Sequence, residues 1–294
     1  VVRGRGAPRG DPAMGAAAGP RPAGRGAGGG RWDGQDRGAL QACANKLNIP
    51  VVTGFRYHDL FDNTDPLFVG EAGVGMTANT KRVLTEADAV LAVNLRFGEM
   101  TTDAFTLFGA NRGAQWIAQS HRSGDEFHKY VAPNLSMISD PAPLLQGLMA
   151  RLEAPAMRQD PAWAKSARAG FDAAQTAKAQ PSPVDMGVVT GIVQRLLPAD
   201  AIVTNGAGNF AIWPNKFLQF SEHQRLLAPQ SGAMGYGLPA AIAKSNANLD
   251  VIKGFVESRP WAHFLAQEAD QISNTSVCLT LDLEADQVKQ IVKL

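Results

Sequence analysis

Apolar residues recur along this chain in two alternating rhythms. From Gly28 to about Arg151, short continuous apolar runs alternate with segments whose apolar positions fall three and four residues apart. Leu40, Cys43, Ala44 and Leu47 share one face of a helix over Asp36–Leu47, and Ile49-Pro-Val-Val52 follows at once as a short buried strand. The same rhythm predicts a helix over Asn79–Glu86, a fully buried strand at Ala89–Val93, and strands at Trp116–Ala118 and Asn134–Ile138. A further helix is expected from Asp140-Pro141 to Leu152, with Asp as N-cap and Pro in the first turn. Strands alternating with helices imply a parallel sheet covered on both faces; a central six-stranded parallel sheet is the expectation.

The texture then changes twice. Residues 154–182 are rich in Ala, Pro, Lys and Gln and read as a polar helix linking two domains. A second α/β unit is expected from Ser182-Pro183 onward: helix Val184–Leu197, strand Ala201–Thr204, the glycine turn Asn205-Gly-Ala-Gly208, and helix Asn209–Phe217. Near Lys244-Ser245 the glycine-rich texture ends. The remainder predicts a helix around Asp250–Phe255, a strand at Ser276–Leu281 and a helix from Glu284 that reaches Leu294 without a C-cap signal, a pattern that reads as cut. The expected organisation is a tail (1–27), a central α/β domain (28–152), a linker (153–182), a partial α/β domain (183–245) and a separate fragment (246–294).

Composition adds limits. Residues 1–27 are almost entirely Gly, Ala, Arg and Pro, too little apolar surface to offset chain entropy, so a disordered tail is expected. Its Arg-Gly pieces resemble RNA-binding tracts, but no aromatic residues are interleaved to stack on bases; a solvated tail and a misjoined reading frame are the other readings. A formal net charge of +1 gives no signature for nucleic acid or a membrane surface, and no apolar run approaches the ~20 residues of a span. Cys43 and Cys278 match no metal or redox spacing, which points to a reducing cytoplasm.

The segment richest in chemistry is Ser231-Gly-Ala-Met-Gly-Tyr-Gly-Leu-Pro-Ala-Ala241. Glycines at 232, 235 and 237 let backbone turn sharply and approach a ligand closely, and a helix is expected directly after them. A tight turn packing that helix on a sheet would account for the glycines, though not for Met234 among them. Gln230–Ile242 resembles the signature of the acetolactate synthase-like thiamine-diphosphate enzymes, and Thr204–Trp213 resembles that family's strand–turn–helix at the cofactor diphosphate. Ile49–Asn63, Phe68–Gly75 and Glu86–Gly98 resemble its central domain, so the resemblance covers about 28–245.

The resemblance implies an α/β fold with a parallel-sheet central domain followed by an incomplete thiamine-diphosphate-binding domain. It implies carbon–carbon bond formation or cleavage on a 2-oxo acid, a homo-oligomer, and thiamine diphosphate with Mg²⁺ as cofactors. Met234 would be the apolar prop that bends the cofactor, and the Gly232 carbonyl would accept a hydrogen bond from its amino group, with Ala233 between them. Ala207, Gly208, Asn209 and Phe210 would meet the diphosphate with backbone N–H groups at a helix start; Asn209 also reads as a simple N-cap. FAD occurs in the central domain of some members and has no support of its own here. Arg96 and Gly98–Asp103 follow a buried strand, where α/β ligand sites lie, but a capped loop with an ion pair is the reading preferred. His58 and His121 are isolated and read as surface or packing residues.

Three departures qualify the resemblance. The family's catalytic glutamate belongs to a domain that would precede Gly28; the Gly-Asp-Gly motif that supplies Mg²⁺ ligands does not occur after 245, so no metal residues are assigned; and Ser245–Val256 with Ser273–Leu279 resemble part of phosphoserine aminotransferase. The expectation is an enzyme fragment inactive on its own. The alternatives are a non-catalytic nucleotide- or flavin-binding or oligomerisation module, and an aminotransferase-related chimera.

Overall fold

The computed structural model describes residues 13–16, 32–108, 115–151, 161–181, 183–229, 232–266, 268, 272, 279–284 and 286–288. The chain divides into two compact units, Val1–Met234 and Gly235–Leu294. In the first, six parallel strands form one sheet: β1 (Ala13–Ala16), β2 (Val51–Gly54), β3 (Phe68–Ala72), β4 (Ala89–Val93), β5 (Trp116–His121) and β6 (Leu135–Ile138). Their spatial order is β3-β2-β1-β4-β5-β6, so the order switches beside β1. The expected six-stranded parallel sheet is therefore present, two of its strands, β1 and β3, being ones the rhythm did not mark.

Its third position is a surprise. Ala13–Ala16 lies inside the segment expected to be a disordered tail, yet it pairs on both sides, Gly15 opposite Val52 and Ala92. Composition weighs what side chains bury, whereas a strand between two others is held by main-chain ladders on both edges, which any residue but proline can make.

Four helices flank this sheet. α1 (Gly34–Leu47) opens with a reciprocal cap in which Asp33 accepts from the Asp36 N–H at 2.9 Å and Asp36 accepts from the Asp33 N–H at 3.3 Å, and it closes on Asn48 at φ 51°. α2 (Ala78–Glu86) is capped by Thr77, whose hydroxyl accepts from the Thr80 N–H at 3.0 Å. α3 (Pro141–Arg151) packs on α1, joined by the buried Asp36 carboxylate, which accepts from the Ala142 N–H at 3.0 Å. α4 (Pro161–Ala174) packs on α2 and β3. Leu40, Val51, Phe68, Val69, Val83, Ile117 and Leu145 are fully buried in one core with Ala164, Ala167 and Phe171 of α4. The stretch read as a polar linker thus supplies a core helix: its apolar stripe is mostly alanine, which composition does not distinguish from a solvated helix. Arg168 fastens α4 to the loop before β3 by donating to the carbonyls of Asn63 at 3.0 Å, Asp65 at 2.6 Å and Phe68 at 3.2 Å.

The rest of the first unit is a smaller α/β piece. α5 (Met186–Leu196) is capped by Asp185, which accepts from the Gly187 N–H at 2.8 Å and the Val188 N–H at 3.3 Å. β7 (Ile202–Thr204), a 3₁₀ turn (Asn209–Ala211), α6 (Ile212–Phe217) and β8 (Arg225–Leu227) follow. β7 and β8 are parallel and form a two-stranded sheet over a small core of Leu218, Phe220, Leu226 and Ala228. This piece meets the central domain through Asn63, whose N–H donates to the Phe220 carbonyl at 2.9 Å while its side chain accepts from the Phe220 N–H at 2.7 Å.

The second unit holds α7 (Gly237–Glu257) and the antiparallel pair β9 (Ala262–Phe264) and β10 (Leu279–Leu281). α7 runs without interruption through Lys244-Ser245, so the textural break falls inside a helix and the expected Asp250–Phe255 helix is its last part. Ser276–Cys278, expected to start the following strand, lie outside the described residues, and of the helix expected from Glu284 residues 286–288 are described. No helix among the described residues is long and apolar enough to cross a membrane.

Candidate functional site

β7 and β8 run in register, with Ile202 opposite Arg225, Val203 opposite Leu226 and Thr204 opposite Leu227. One more bond, from the Asn205 N–H to the Leu227 carbonyl at 2.8 Å, carries the ladder to the carboxyl edge. From that edge the chain leaves twice, after β7 through Asn205-Gly-Ala-Gly208 and after β8 through Ala228 toward Met234. The two glycine segments singled out in the sequence, 26 residues apart at their first glycines, Gly206 and Gly232, therefore depart from neighbouring points of one sheet edge. In open α/β sheets the space beyond the carboxyl ends of the strands is where ligands bind.

The first loop is held from inside. Asn205 is buried, and its side-chain amide donates to the Ala211 carbonyl at 3.4 Å and to the Asn215 side chain at 3.2 Å. Gly208 has φ 139°, a conformation closed to residues with a Cβ, and a Cβ there would also meet the Phe210 ring at 3.0 Å. Phe210 itself is 56% exposed, an aromatic ring presented to solvent beside the turn. Asn209 is not an N-cap. It is the first residue of the 3₁₀ turn, Gly208 occupies the cap position, and no side chain caps either that turn or α6. The helix start expected behind the diphosphate is thus one 3₁₀ turn and a six-residue helix, in which few peptide dipoles align. The polarity available to an anion comes from the loop itself.

The second loop is open. Gly232 has φ 71° and donates its N–H to the Pro229 carbonyl at 3.1 Å. A Cβ added at Gly232 or Gly235 would meet no atom within 4 Å among the described residues. Met234 is 82% exposed, and Ala233 beside it is exposed as well. Among the described residues no group of three or more His, Cys, Asp or Glu side chains is placed to hold a metal ion.

The remaining candidates have structural roles. His58 is buried between Phe68 and Phe220, with Nδ1 3.2 Å from Glu71 Oε2. His121 is buried at the end of β5 and its Nδ1 accepts from the Ser123 N–H at 3.0 Å; desolvation pushes its pKa below 6.5. Arg96 is half exposed, 3.6 Å from Glu126, and Gly98–Asp103 is a capped loop in which the Thr102 hydroxyl donates to the Gly98 carbonyl at 2.9 Å and accepts from the Phe105 N–H at 3.1 Å. A cleft of about 610 Å³ lies away from both glycine loops, between α1 and the turn that precedes β8, where Arg37, Gln41, Asp65, Glu222 and Arg225 line it. Mixed charge leaves it without a ligand class.

Arg56 was missed. It is buried just after β2 and its Nη1 donates to the Gly206 carbonyl, in the first glycine loop, at 2.5 Å. A charged residue immediately following a buried apolar strand was the available signal, and in the sequence it read only as part of the central-domain resemblance.

Known proteins resemble this chain over the central sheet and beyond it. Residues 26–148 match the family model for the central domain of the thiamine pyrophosphate enzymes. Over 223 residues the chain is 26% identical to a sulfoacetaldehyde acetyltransferase of Rhodobacter capsulatus, covering 68% of this chain and 38% of that protein. Over 217 residues it is 27% identical to the acetolactate synthase large subunit of Cyanidium caldarium, covering 71% and 36%. Another 58 residues' worth of similarity, 40% identical, is to a phosphoserine aminotransferase of Methanosarcina mazei, covering 20% of this chain and 16% of that protein. The chain spans a little over a third of the length of the two thiamine-type relatives, at 38% and 36%. It carries the central domain of the thiamine pyrophosphate enzymes and is a relative of the acetolactate synthase-like members of that family.

Proposed function

We propose that this chain binds thiamine diphosphate at the carboxyl edge of β7 and β8, as the diphosphate- and thiazolium-bearing part of an enzyme that makes or breaks a carbon–carbon bond on a 2-oxo acid. The observation that carries the reading is the shared edge itself, where the Asn205 N–H meets the Leu227 carbonyl at 2.8 Å and both glycine loops begin. A ligand with an anionic end and an apolar ring fits two such loops. Ala207, Gly208, Asn209 and Phe210 offer backbone N–H groups and an exposed ring, and Gly232, Ala233 and Met234 offer an open backbone turn and an exposed thioether. The cofactor, when bound, supplies a carbon nucleophile that stabilises negative charge. Met234 would prop its rings, and the Gly232 carbonyl would hold a proton donor of the pyrimidine in place.

These 294 residues are expected to bind without turnover. Residues 203–221 and 226–249, which contain both loops, include no Asp or Glu, so neither loop carries a carboxylate to relay the proton or to hold Mg²⁺ against the diphosphate. With backbone dipoles alone facing two phosphates, affinity on the order of 10–100 µM is expected. Calorimetric titration of thiamine diphosphate into the purified chain, with and without Mg²⁺, tests this. Saturable binding that Gly208→Ala weakens at least tenfold supports the reading; a folded sample that takes up no cofactor overturns it. Acetolactate formed from pyruvate would overturn the expectation of no turnover.

A second reading rests on the central sheet. Thr53 Oγ1, Asn94 Oδ1 and Nδ2, Gln119 Oε1 and His121 Nε2 are buried without a hydrogen-bond partner among the described residues. All sit at or just beyond the carboxyl ends of β2, β4 and β5, flanking the point where strand order switches. Buried polar atoms are normally satisfied, and water or a polar ligand such as a nucleotide or flavin would satisfy these. A thermal shift of several degrees with FAD or ADP, and none with thiamine diphosphate, would favour a non-catalytic binding module.

A further inference from the structure

Arg56 occupies an unusual position for an arginine. Its backbone sits at φ 64°, in the left-handed region that residues with a Cβ avoid unless their surroundings hold them there. The holding contact is clear: the Arg56 N–H donates to a carboxylate oxygen of Glu71, the residue whose other oxygen lies 3.2 Å from His58 Nδ1. The side chain passes over the Phe55 ring, 5.0 Å from its centroid, and stays buried as far as its guanidinium. Burial pushes its pKa down, and the Glu71 charge opposes that shift. A buried guanidinium is expensive to desolvate and is kept where its fixed fork meets an acceptor. Here one acceptor is the Gly206 carbonyl, 150 residues away in sequence and 2.5 Å from Nη1.

Gly206 lies between Asn205, which fastens the loop to α6, and the Ala207–Phe210 stretch of the proposed diphosphate site. We infer that Arg56 is a positioning residue for that site: anchored on the central domain by Glu71, it fixes the Gly206 carbonyl and thereby aims the following N–H groups at the diphosphate. A carbonyl and the next N–H belong to one planar peptide, so pinning the Gly206 oxygen also orients the Ala207 N–H. The charge helps as well, because a guanidinium bound to the back of the loop polarises that peptide in the sense that favours an anion at its N–H. This inference rests on the cofactor reading above.

The test uses the full chain and three variants, Arg56→Met, Arg56→Lys and Asn63→Ala. Asn63 is the control, since it ties the same two pieces together through Phe220 without touching the glycine loop. Two readouts are needed: hydrogen exchange of the peptide over 205–211 without cofactor, and the dissociation constant for thiamine diphosphate. Arg56→Met is expected to raise exchange in that peptide and to weaken cofactor binding about tenfold, with Arg56→Lys between it and the wild type. Asn63→Ala is expected to lower the melting temperature while leaving the dissociation constant within about twofold. Unchanged exchange in Arg56→Met, or equal losses of affinity in Arg56→Met and Asn63→Ala, would overturn the positioning role. Absence of binding by the wild-type chain would instead overturn the cofactor reading, and the inference with it.

Discussion

The two α/β pieces of the first unit follow the same construction and finish it to different degrees. In the central sheet, β2 has every residue buried, and the helices over it close on a single core. In the β7–β8 piece, β7 is exposed or half-buried along its length, and α5 turns Val188, Val189, Ile192, Val193 and Leu196 toward solvent, the last 76% exposed. The lesson is about where function can sit. A sheet with both faces covered has its apolar side chains committed to packing, whereas the smaller piece leaves Phe210 and Met234 open to a ligand and α5 open to a partner surface.

The largest effect should come from emptying the well-packed side. Leu40→Ala, at a fully buried position, is expected to cost about 2–5 kcal/mol by denaturant unfolding, while Leu196→Ala should cost less than about 0.5 kcal/mol. Similar losses at the two positions would mean that α5 is covered in solution. Next is the Asp36 carboxylate, which caps α1 and accepts from the start of α3. Removing it as Asp36→Ala leaves buried N–H groups unpaired and should cost about 1–3 kcal/mol, with a smaller loss when the half-buried cap Asp185 is replaced by Ala.

Acid sharpens the comparison further. Desolvation holds the His121 pKa below 6.5, so the unfolded chain binds a proton that the folded chain does not. Its contribution is complete above pH 6.5 and is lost as pH falls from there toward the lower folded value. Melting temperature against pH should therefore drop below 6.5 in the wild type and flatten in His121→Asn. The smallest effect is chemical. Burial pushes the Cys43 thiol up to about 11, so iodoacetamide at pH 8 should leave Cys43 unlabelled until denaturant is added, as peptide mass spectrometry would show.

The same contrast explains what could be read in advance. Ala89–Val93 was legible to the residue because it is a continuous apolar run, although Ala89 and Leu91 are half-buried where full burial was expected. α1 was legible from Leu40, Cys43, Ala44 and Leu47, though it starts at Gly34, two residues before the expected Asp36, because Asp33 caps it. β8 and β9 were not, since Arg-Leu-Leu and Ala-His-Phe are too short to show a period. β1 was hidden by composition and α4 by its alanines. At the site, Gly208, Gly232 and Met234 stood out because they fall in glycine-rich segments that resemble a known family's signature. Arg56 did not, because what distinguishes it is a contact across 150 residues, and no local pattern records such a distance.

One consequence concerns breakage of the chain. Lys178 is exposed, in the stretch between α4 and α5, and trypsin should reach it. A cut there would sever the only covalent path from the central sheet to the β7–β8 piece within the first unit. The Phe220 pair with Asn63 and the Arg56 bond to Gly206 both reach across that stretch, so the nicked halves should elute together from a sizing column and part only in denaturant. The segment from 175 to 185 is then dispensable as a tether, and the two halves could be supplied as separate polypeptides that reassemble on mixing.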